Sequence, residues 1–391
     1  MALNPAEAPL RKLMGPGPLD IHPRVYRALT SPVIGHMDPA YFKTLDQVSE
    51  GLRTVFQTQN RVTHATPGTG TSGMEACVAN LMEPGDQVLA CVHGYFGDRI
   101  RQMAERQEAE VTVIEGEWGK PTDPEKVAAA LKANAYKVLT VVHAETSTGV
   151  LQPMDDIVSL AKEHGVMLLL DAVTSLGGVE LKADEWGLDA AYSCSQKCIG
   201  CPPGLAPVTF SDRAIAAARN RKHPIRSWYL DITLLEKYWG SAPRVYHHTS
   251  SSTLNYALLE ALLLIEEEGL QNRFERHLSN HQALVAGVEA MGLEMLVKHE
   301  HRLPTLNTIR VPDGVDEAKV RGYLLETFNL EIGAGLGALA GQVWRIGLMG
   351  YSSSAENVLF FLSAISRALA IQDCKTDLSA GSEAAMSLLN A

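Results

Sequence analysis

The residues best suited to covalent chemistry gather around one lysine. Lys197 follows Ala191-Tyr192-Ser193-Cys194-Ser195-Gln196 and precedes Cys198-Ile199-Gly200-Cys201-Pro202-Pro203-Gly204. Small neighbours let other backbone approach and exclude water, and a desolvated lysine amine is a usable nucleophile. Taken alone, the pattern favours a solvated loop lysine, so what decides its role lies elsewhere in the chain. Cys198-x-x-Cys201 has the spacing of a redox or zinc pair. A structural zinc site wants a fourth Cys or His at matching spacing, and none follows. No metal is expected, and Cys194, Cys198 and Cys201 read as small packing residues.

Asp171 ends the most apolar run of the chain, Leu168-Leu169-Leu170-Asp171-Ala172-Val173. A carboxylate at the C-terminal edge of a buried strand faces the crevice where α/β proteins bind ligands, and burial opposes its charge unless a cation joins it. A protonated heterocyclic nitrogen would be such a cation; a helix cap or turn aspartate is the alternative. Tyr95 and Phe96 follow an apparent strand ending at Val92, and either could cover a flat ring. Gly68-Thr69-Gly70-Thr71-Ser72-Gly73 satisfies G-x-G-x-x-G, but the next strand runs into His93-Gly94 without the acid that would hold a ribose. The dinucleotide reading fails there. A Gly/Thr loop opening a helix still offers free N–H groups, two hydroxyls and a positive helix end, which suits one phosphate. Phosphate cup, ring cover, aspartate and lysine follow successive strands, and one ligand uses all four: pyridoxal phosphate.

These positions need an alternating scaffold. Strands are expected at Gln87–Val92, Glu110–Glu115, Lys137–His143, Val166–Asp171 and Leu188–Tyr192. Helices are expected at Tyr41–Gln57, Met74–Met82, Gly97–Glu108, Asp123–Lys132 (with Thr122 as N-cap), Met154–His164 and Leu254–Glu268. Thr63–Gly73 reads as a loop. Near-continuous apolar strands such as Val138-Leu139-Thr140-Val141-Val142 fit a parallel sheet covered on both faces, hence a doubly wound α/β domain. Helices at Arg273–Met291, Glu317–Phe328 and Ala355–Ala370, with strands near Leu306–Val311 and Val343–Leu348, give a smaller α+β domain. The expected division is an arm at 1–14, a large domain at 15–268 and a small one at 269–391, with 373–391 a loosely ordered tail.

Length agrees with two domains, since 391 residues exceed what one core sustains. A formal charge of −11 with no compensating basic cluster argues against nucleic acid and anionic membrane surfaces as partners. The N-terminus lacks a signal-peptide apolar core and no run is long enough to span a bilayer, so a cytoplasmic protein with six free thiols is expected.

At this point the chain resembles a known family. Gly15-Pro16-Gly17-Pro18, Glu145-Thr146-Ser147-Thr148-Gly149-Val150-Leu151-Gln152-Pro153, Ser175-Leu176-Gly177-Gly178, Ser195-Gln196-Lys197, Tyr229-Leu230-Asp231, Tyr246-His247-His248-Thr249 and Arg345-Ile346-Gly347 are similar to the alanine–glyoxylate aminotransferases of class V. The similarity runs from about Gly15 to Ala370. It implies fold type I, with a mainly parallel seven-stranded sheet and a smaller C-terminal α+β domain, and pyridoxal phosphate as cofactor.

The resemblance also implies roles. Lys197 matches the lysine bonded to the cofactor aldehyde, and Asp171 matches the partner of the ring nitrogen. Phe96 takes the ring-stacking position, usually tryptophan in the family. Thr69, Gly70 and Thr71 match the phosphate cup, where serine and histidine flank the glycine in relatives. Gln196 belongs at the phosphate and Thr146 beside the ring hydroxyl. Tyr246 and Thr249 resemble phosphate ligands supplied by a neighbouring subunit, implying a homodimer with shared sites. Arg345 matches the grip on the substrate carboxylate, with Gly35 also at the substrate.

The implied reaction is transamination of alanine, with serine a second donor, to glyoxylate. Serine–glyoxylate or ureidoglycine–glyoxylate transfer is the near alternative, and a pyridoxal-phosphate lyase or desulfurase the distant one. A catalytically dead binding protein would have to lack Lys197 or Asp171, and both are present.

Overall fold

A computed structural model describes residues 8–240 and 243–389. Its centre is a seven-stranded sheet. The strands are β1 (Val62–Pro67), β2 (Gln87–Val92), β3 (Glu110–Glu115), β4 (Val138–Val142), β5 (Met167–Asp171), β6 (Ala190–Tyr192) and β7 (Leu205–Phe210). Their spatial order is β1-β7-β6-β5-β4-β2-β3. Only β7 runs antiparallel to its neighbours. The C-terminal ends of β1, β2, β4, β5 and β6 therefore open on one edge of the sheet.

Strand alternation explains the apolar runs. Leu139, Val141, Leu168 and Leu170 point into one core, closed by α1 (Pro39–Phe56) and by three helices on the same face. Val138, Val142, Met167 and Leu169 point the other way, toward α2 (Gly70–Leu81) and α3 (Tyr95–Arg106). The three helices completing the first face are α4 (Pro124–Ala133), α5 (Asp155–Glu163) and α6 (Ser252–Glu268). Each fully buried Leu or Val contributes about 1.5–3 kcal/mol, so strands covered on both faces anchor the fold.

A second core lies beyond α6. Strands β8 (Leu306–Arg310), β9 (Gly333–Ala334) and β10 (Val343–Gly347) form an antiparallel sheet in the order β8-β10-β9. Against it pack α7 (Leu270–Ala290), α8 (Glu317–Phe328), α9 (Ala355–Ala370) and α10 (Leu378–Leu389), around Trp344, Ile346, Phe361 and Leu362. The end of the N-terminal arm joins this unit: Lys12–Leu13 pairs in parallel with Leu330–Glu331, and Met14 is buried in the same core. Residues 1–7 lie outside the described part of the chain. No described helix is long and apolar enough to cross a membrane.

The structure corrects three expectations. Thr63–Gly73 is not one loop: its first half is the edge strand β1, and α2 begins at Gly70 rather than Met74. Buried Thr63, His64 and Thr66 hide the strand's pattern, and Thr63 Oγ1 finds Thr209 Oγ1 at 2.8 Å on β7. Helix α4 is capped by Asp123, whose carboxylate accepts from Glu125 N at 2.9 Å, while Thr122 Oγ1 meets His93 Nδ1 at 3.1 Å.

The expected loose tail at 373–391 contains helix α10, with Ala385 fully buried (390–391 lie outside the described residues). Its small residues, which read as a polar tail, are what allow close packing on α7. A Cβ on Gly381 would fall 3.0 Å from Gly287 O and 2.4 Å from Met291 Cγ.

Candidate active site

Asp171, the last residue of β5, is 1% exposed and stands in register with Tyr192 on β6. Paired positions on parallel strands present side chains to the same face. Tyr192 Oη accordingly donates to Asp171 Oδ2 at 2.6 Å, and Val173 N donates to Oδ1 at 2.8 Å. Burial nevertheless drives the carboxyl pKa up to about 7, with the Glu145 charge adding to the rise against those hydrogen bonds. The site holds an acid awaiting a cation.

Lys197 is 9% exposed, and burial lowers its ammonium pKa, with the Arg345 charge adding to the effect. Room for it comes from Gly17, at φ +100°, where a Cβ would sit 2.7 Å from Lys197 Nζ. The turn carrying the lysine is held from the second core. Arg273 on α7 donates to Cys198 O at 2.5 Å and to Gly177 O at 2.8 Å. The cysteines around it are free and buried, and burial pushes the Cys194 and Cys198 thiols up to about 12. They pack as neutral groups.

Arg345 comes from β10 and reaches across to Thr146, in the turn that follows β4. Its Nε donates to Ala334 O at 2.6 Å and its Nη1 to Thr146 O at 3.0 Å. Burial lowers its pKa to about 10, opposed by the Glu145 charge, so it stays cationic at neutral pH. Among the described residues Nη2 makes no hydrogen bond, leaving donors for a carboxylate. Thr146 contributes its carbonyl here, since its hydroxyl pairs with Thr174 Oγ1.

The start of α2 lies at the same edge. Thr69 and Thr71 are exposed, and Thr69 caps the helix without a side-chain hydrogen bond. Ser72 N and Gly73 N turn to Thr69 O, so the N–H groups of Gly70 and Thr71 have no helical partner. Gly70 must be small: a Cβ would meet Cys194 Cβ at 3.0 Å and Val173 Cγ2 at 3.2 Å. Gln196 Oε1 is buried without a partner.

Phe96 sits in the first turn of α3, and its position depends on a residue that motif reading quoted only as part of a run. Glu145, fully buried, accepts from Phe96 N at 3.1 Å and Gly97 N at 3.3 Å. Its other oxygen takes Ser147 N at 3.0 Å and Ser147 Oγ at 2.6 Å, while Ser147 Oγ accepts from Tyr95 N at 3.0 Å. The N-cap position of α3 is Gly94, which has no side chain to offer, so a distant carboxylate caps the helix instead. A Cβ on Gly94 would lie 2.3 Å from Glu145 Cγ. Gly94→Ala is expected to lower the thermal midpoint of the cofactor-free protein through a loss of about 2–3 kcal/mol. An unchanged midpoint would mean that Glu145 moves aside without cost. Tyr192, Gly17 and Gly94 were likewise quoted only inside longer runs, with no role of their own; a glycine directly before a helix was the one visible signal for Gly94.

Tyr246, Thr249 and Gly35 are not brought into this group. All three are exposed, and none hydrogen-bonds to the crevice residues among the described residues. The Tyr246 ring instead lies 5.2 Å from that of His36, so the Gly35 and Tyr246 segments are neighbours.

The donor set fits pyridoxal phosphate. Asp171 suits a protonated ring nitrogen, Phe96 a flat ring, and Lys197 an aldehyde. The unpartnered Gly70 and Thr71 amides, the threonine hydroxyls and the Gln196 amide N–H suit a phosphate. Comparison with known proteins agrees. The family model for class-V aminotransferases matches residues 25–359. The chain is 41% identical to the (S)-ureidoglycine–glyoxylate transaminase of Bacillus subtilis, over 92% of this chain and 91% of the relative. It is 42% identical to the alanine–glyoxylate aminotransferase of Drosophila melanogaster, over 96% and 97%. The crystal structure of alanine–glyoxylate aminotransferase from Nostoc sp. superposes with a TM-score of 0.92 at 48% identity, covering 94% of this chain and 98% of that one. Buried Lys197, Asp171 and Arg345 thus stand on the scaffold these relatives share, and the chain belongs to the class-V aminotransferases.

Proposed function

We propose that the protein transfers the amino group of alanine, with serine as a second donor, to glyoxylate, giving glycine and pyruvate or hydroxypyruvate. The observation that carries this reading is the buried Arg345, which crosses from the second core to Thr146 with donors free beside Lys197. A planar fork of this kind holds a small carboxylate and sets the direction of the Cα–H bond. Pyridoxal phosphate, when bound, supplies an electron sink for charge released at Cα. Asp171 holds a positive charge in place at the foot of the site, and Tyr192 and Val173 keep its carboxylate aimed. Lys197 Nζ, its basicity lowered by burial, takes the proton from Cα in one half-reaction and returns one in the other. Donor and acceptor occupy the same site in turn, so ping-pong kinetics follow.

Arg345→Gln is expected to raise KM for both the amino donor and glyoxylate roughly 100-fold, because a buried charged pair is lost. Steady-state kinetics check this, and an unchanged KM would remove Arg345 from the substrate.

The exposed Tyr246 and Thr249 support a homodimer in which each subunit lends these residues to the other's phosphate site, with Gly35 on the substrate side. The two cores support a boundary at the Glu268–Leu270 junction, giving a large cofactor domain and a small C-terminal one. A cytoplasmic location is part of the proposal.

The 41% identity to a ureidoglycine–glyoxylate transaminase favours that donor as the second reading. A half-reaction panel separates them: alanine, serine, cysteine and ureidoglycine are added singly, and the loss of the cofactor's visible band is followed. Conversion by alanine supports the first reading, and conversion by ureidoglycine alone supports the second. Sulfide released from cysteine, or pyruvate and ammonia formed from serine or cysteine over many turnovers without an acceptor, would overturn both in favour of a lyase.

A further inference from the structure

Arg99 is a half-buried cation that the roles above leave unused. It lies on α3, three and four residues after Phe96 and Tyr95, so its side chain folds back over both rings. The guanidinium carbon is 4.9 Å from the Phe96 ring centre and 5.1 Å from that of Tyr95. From there Nη1 reaches Thr71 Oγ1 at 3.4 Å, in the first turn of α2. Arg99 therefore spans the gap between the ring-covering residue and the phosphate loop.

Its electrostatic setting is unbalanced. Among the described residues Arg99 forms no ion pair, whereas Arg101, two residues on, pairs with both Asp98 and Glu105. The first turn of α2 contains no acidic residue and no side-chain cap, and helix N-termini are themselves positive. A guanidinium fixed beside such an end, with most of its donors unused, is repelled unless an anion joins them. Stacking on two rings holds the side chain there without neutralising it.

We propose that Arg99 is a further ligand of the cofactor's phosphate, closing the cup formed by Thr69, Gly70 and Thr71 from the Phe96 side. The assignment rests on the cofactor reading above and adds to it a residue with a distinct task. A phosphate monoester carries close to two negative charges at neutral pH, which one arginine and one helix end together suit well. Phe96 would then serve twice, as cover for the ring and as a platform for the cation.

Binding of pyridoxal phosphate and of pyridoxal to the cofactor-free protein, followed by fluorescence titration, tests this directly. Arg99→Gln is expected to weaken pyridoxal phosphate about 10- to 100-fold and leave pyridoxal within about twofold. Arg99→Lys, which keeps charge but loses the fork and the stack, is expected to fall between. Inorganic phosphate should raise the thermal midpoint of the cofactor-free wild type and not that of Arg99→Gln. Equal affinity of wild type and both variants for pyridoxal phosphate would overturn the proposal while leaving the cofactor reading intact. Equal weakening of pyridoxal and its phosphate would also overturn it, assigning Arg99 to support of the Phe96 ring. A wild type that takes up no pyridoxal phosphate would overturn the cofactor reading itself.

Discussion

Lys197→Ala is expected to purify without the visible absorption of covalently held cofactor, and to lose at least about four orders of magnitude in kcat. The size of the effect follows from two tasks resting on one amine. In the proposed reaction Lys197 Nζ is both the nucleophile toward the aldehyde and the base at the substrate Cα. Its neighbours offer no substitute: burial holds the thiols of Cys194 and Cys198 as neutral groups, and the hydroxyl of Thr146 is committed to Thr174. The fold should survive. The truncation leaves space against Gly17, whose closeness to Nζ shows how little room the side chain spares. It also removes a buried amine whose charged form burial opposes. Cofactor should still bind through the phosphate loop, more weakly, and be lost on gel filtration. A small exogenous amine should restore part of the proton-transfer rate in the variant. Retention of most activity in Lys197→Ala would remove the lysine from the chemistry and with it the proposed function.

Much of this site was legible because α/β folds bring residues at strand ends to one edge. Asp171, Phe96 and Lys197 could be grouped from strand periodicity alone, and the apolar runs at Val138–Val142 and Leu168–Leu170 marked strands covered on both sides. What stayed hidden needed register or distance. Tyr192 looks like an ordinary strand residue until β5 and β6 align it with Asp171. Glu145 caps a helix whose start lies about fifty positions earlier in sequence, a relation no local capping signal carries. Strand β1 was missed because burial of threonine and histidine there is permitted by pairing with β7 rather than by apolar character. Helix α10 was missed because alanine, glycine and serine resemble a tail until their small size is seen to serve packing. Arg345 is the opposite case: its position on β10 gives no hint of function, the family resemblance alone singled it out, and the structure adds its crossing to Thr146 O.

The second large effect is expected at Asp171, and here loss of function should accompany a gain in stability. In Asp171→Asn the acceptor for Val173 N is kept and the amide can donate to Tyr192 Oη, so local geometry is conserved. The negative charge is gone, however, and a protonated ring nitrogen would have no partner in a site closed to water. Removal of one preorganised charge of this kind costs about 100- to 1000-fold in kcat. The cofactor-free protein should respond in the reverse sense. Burial raises the Asp171 pKa to about 7 from an ordinary value near 4, so the unfolded chain releases the proton first as pH rises. The wild type therefore loses stability between about pH 4 and pH 7 relative to Asp171→Asn, and the gap is constant above that window. At pH 8 the variant should be more stable by up to a few kcal/mol without cofactor, and near pH 4 the difference should vanish. Thermal midpoints of both proteins across this range measure it. A pH-independent difference would mean that Asp171 is already ionised and paired in the cofactor-free protein. A stabilised but inactive variant would show that the acid is kept for the charge it presents to the cofactor, at a cost the fold bears elsewhere.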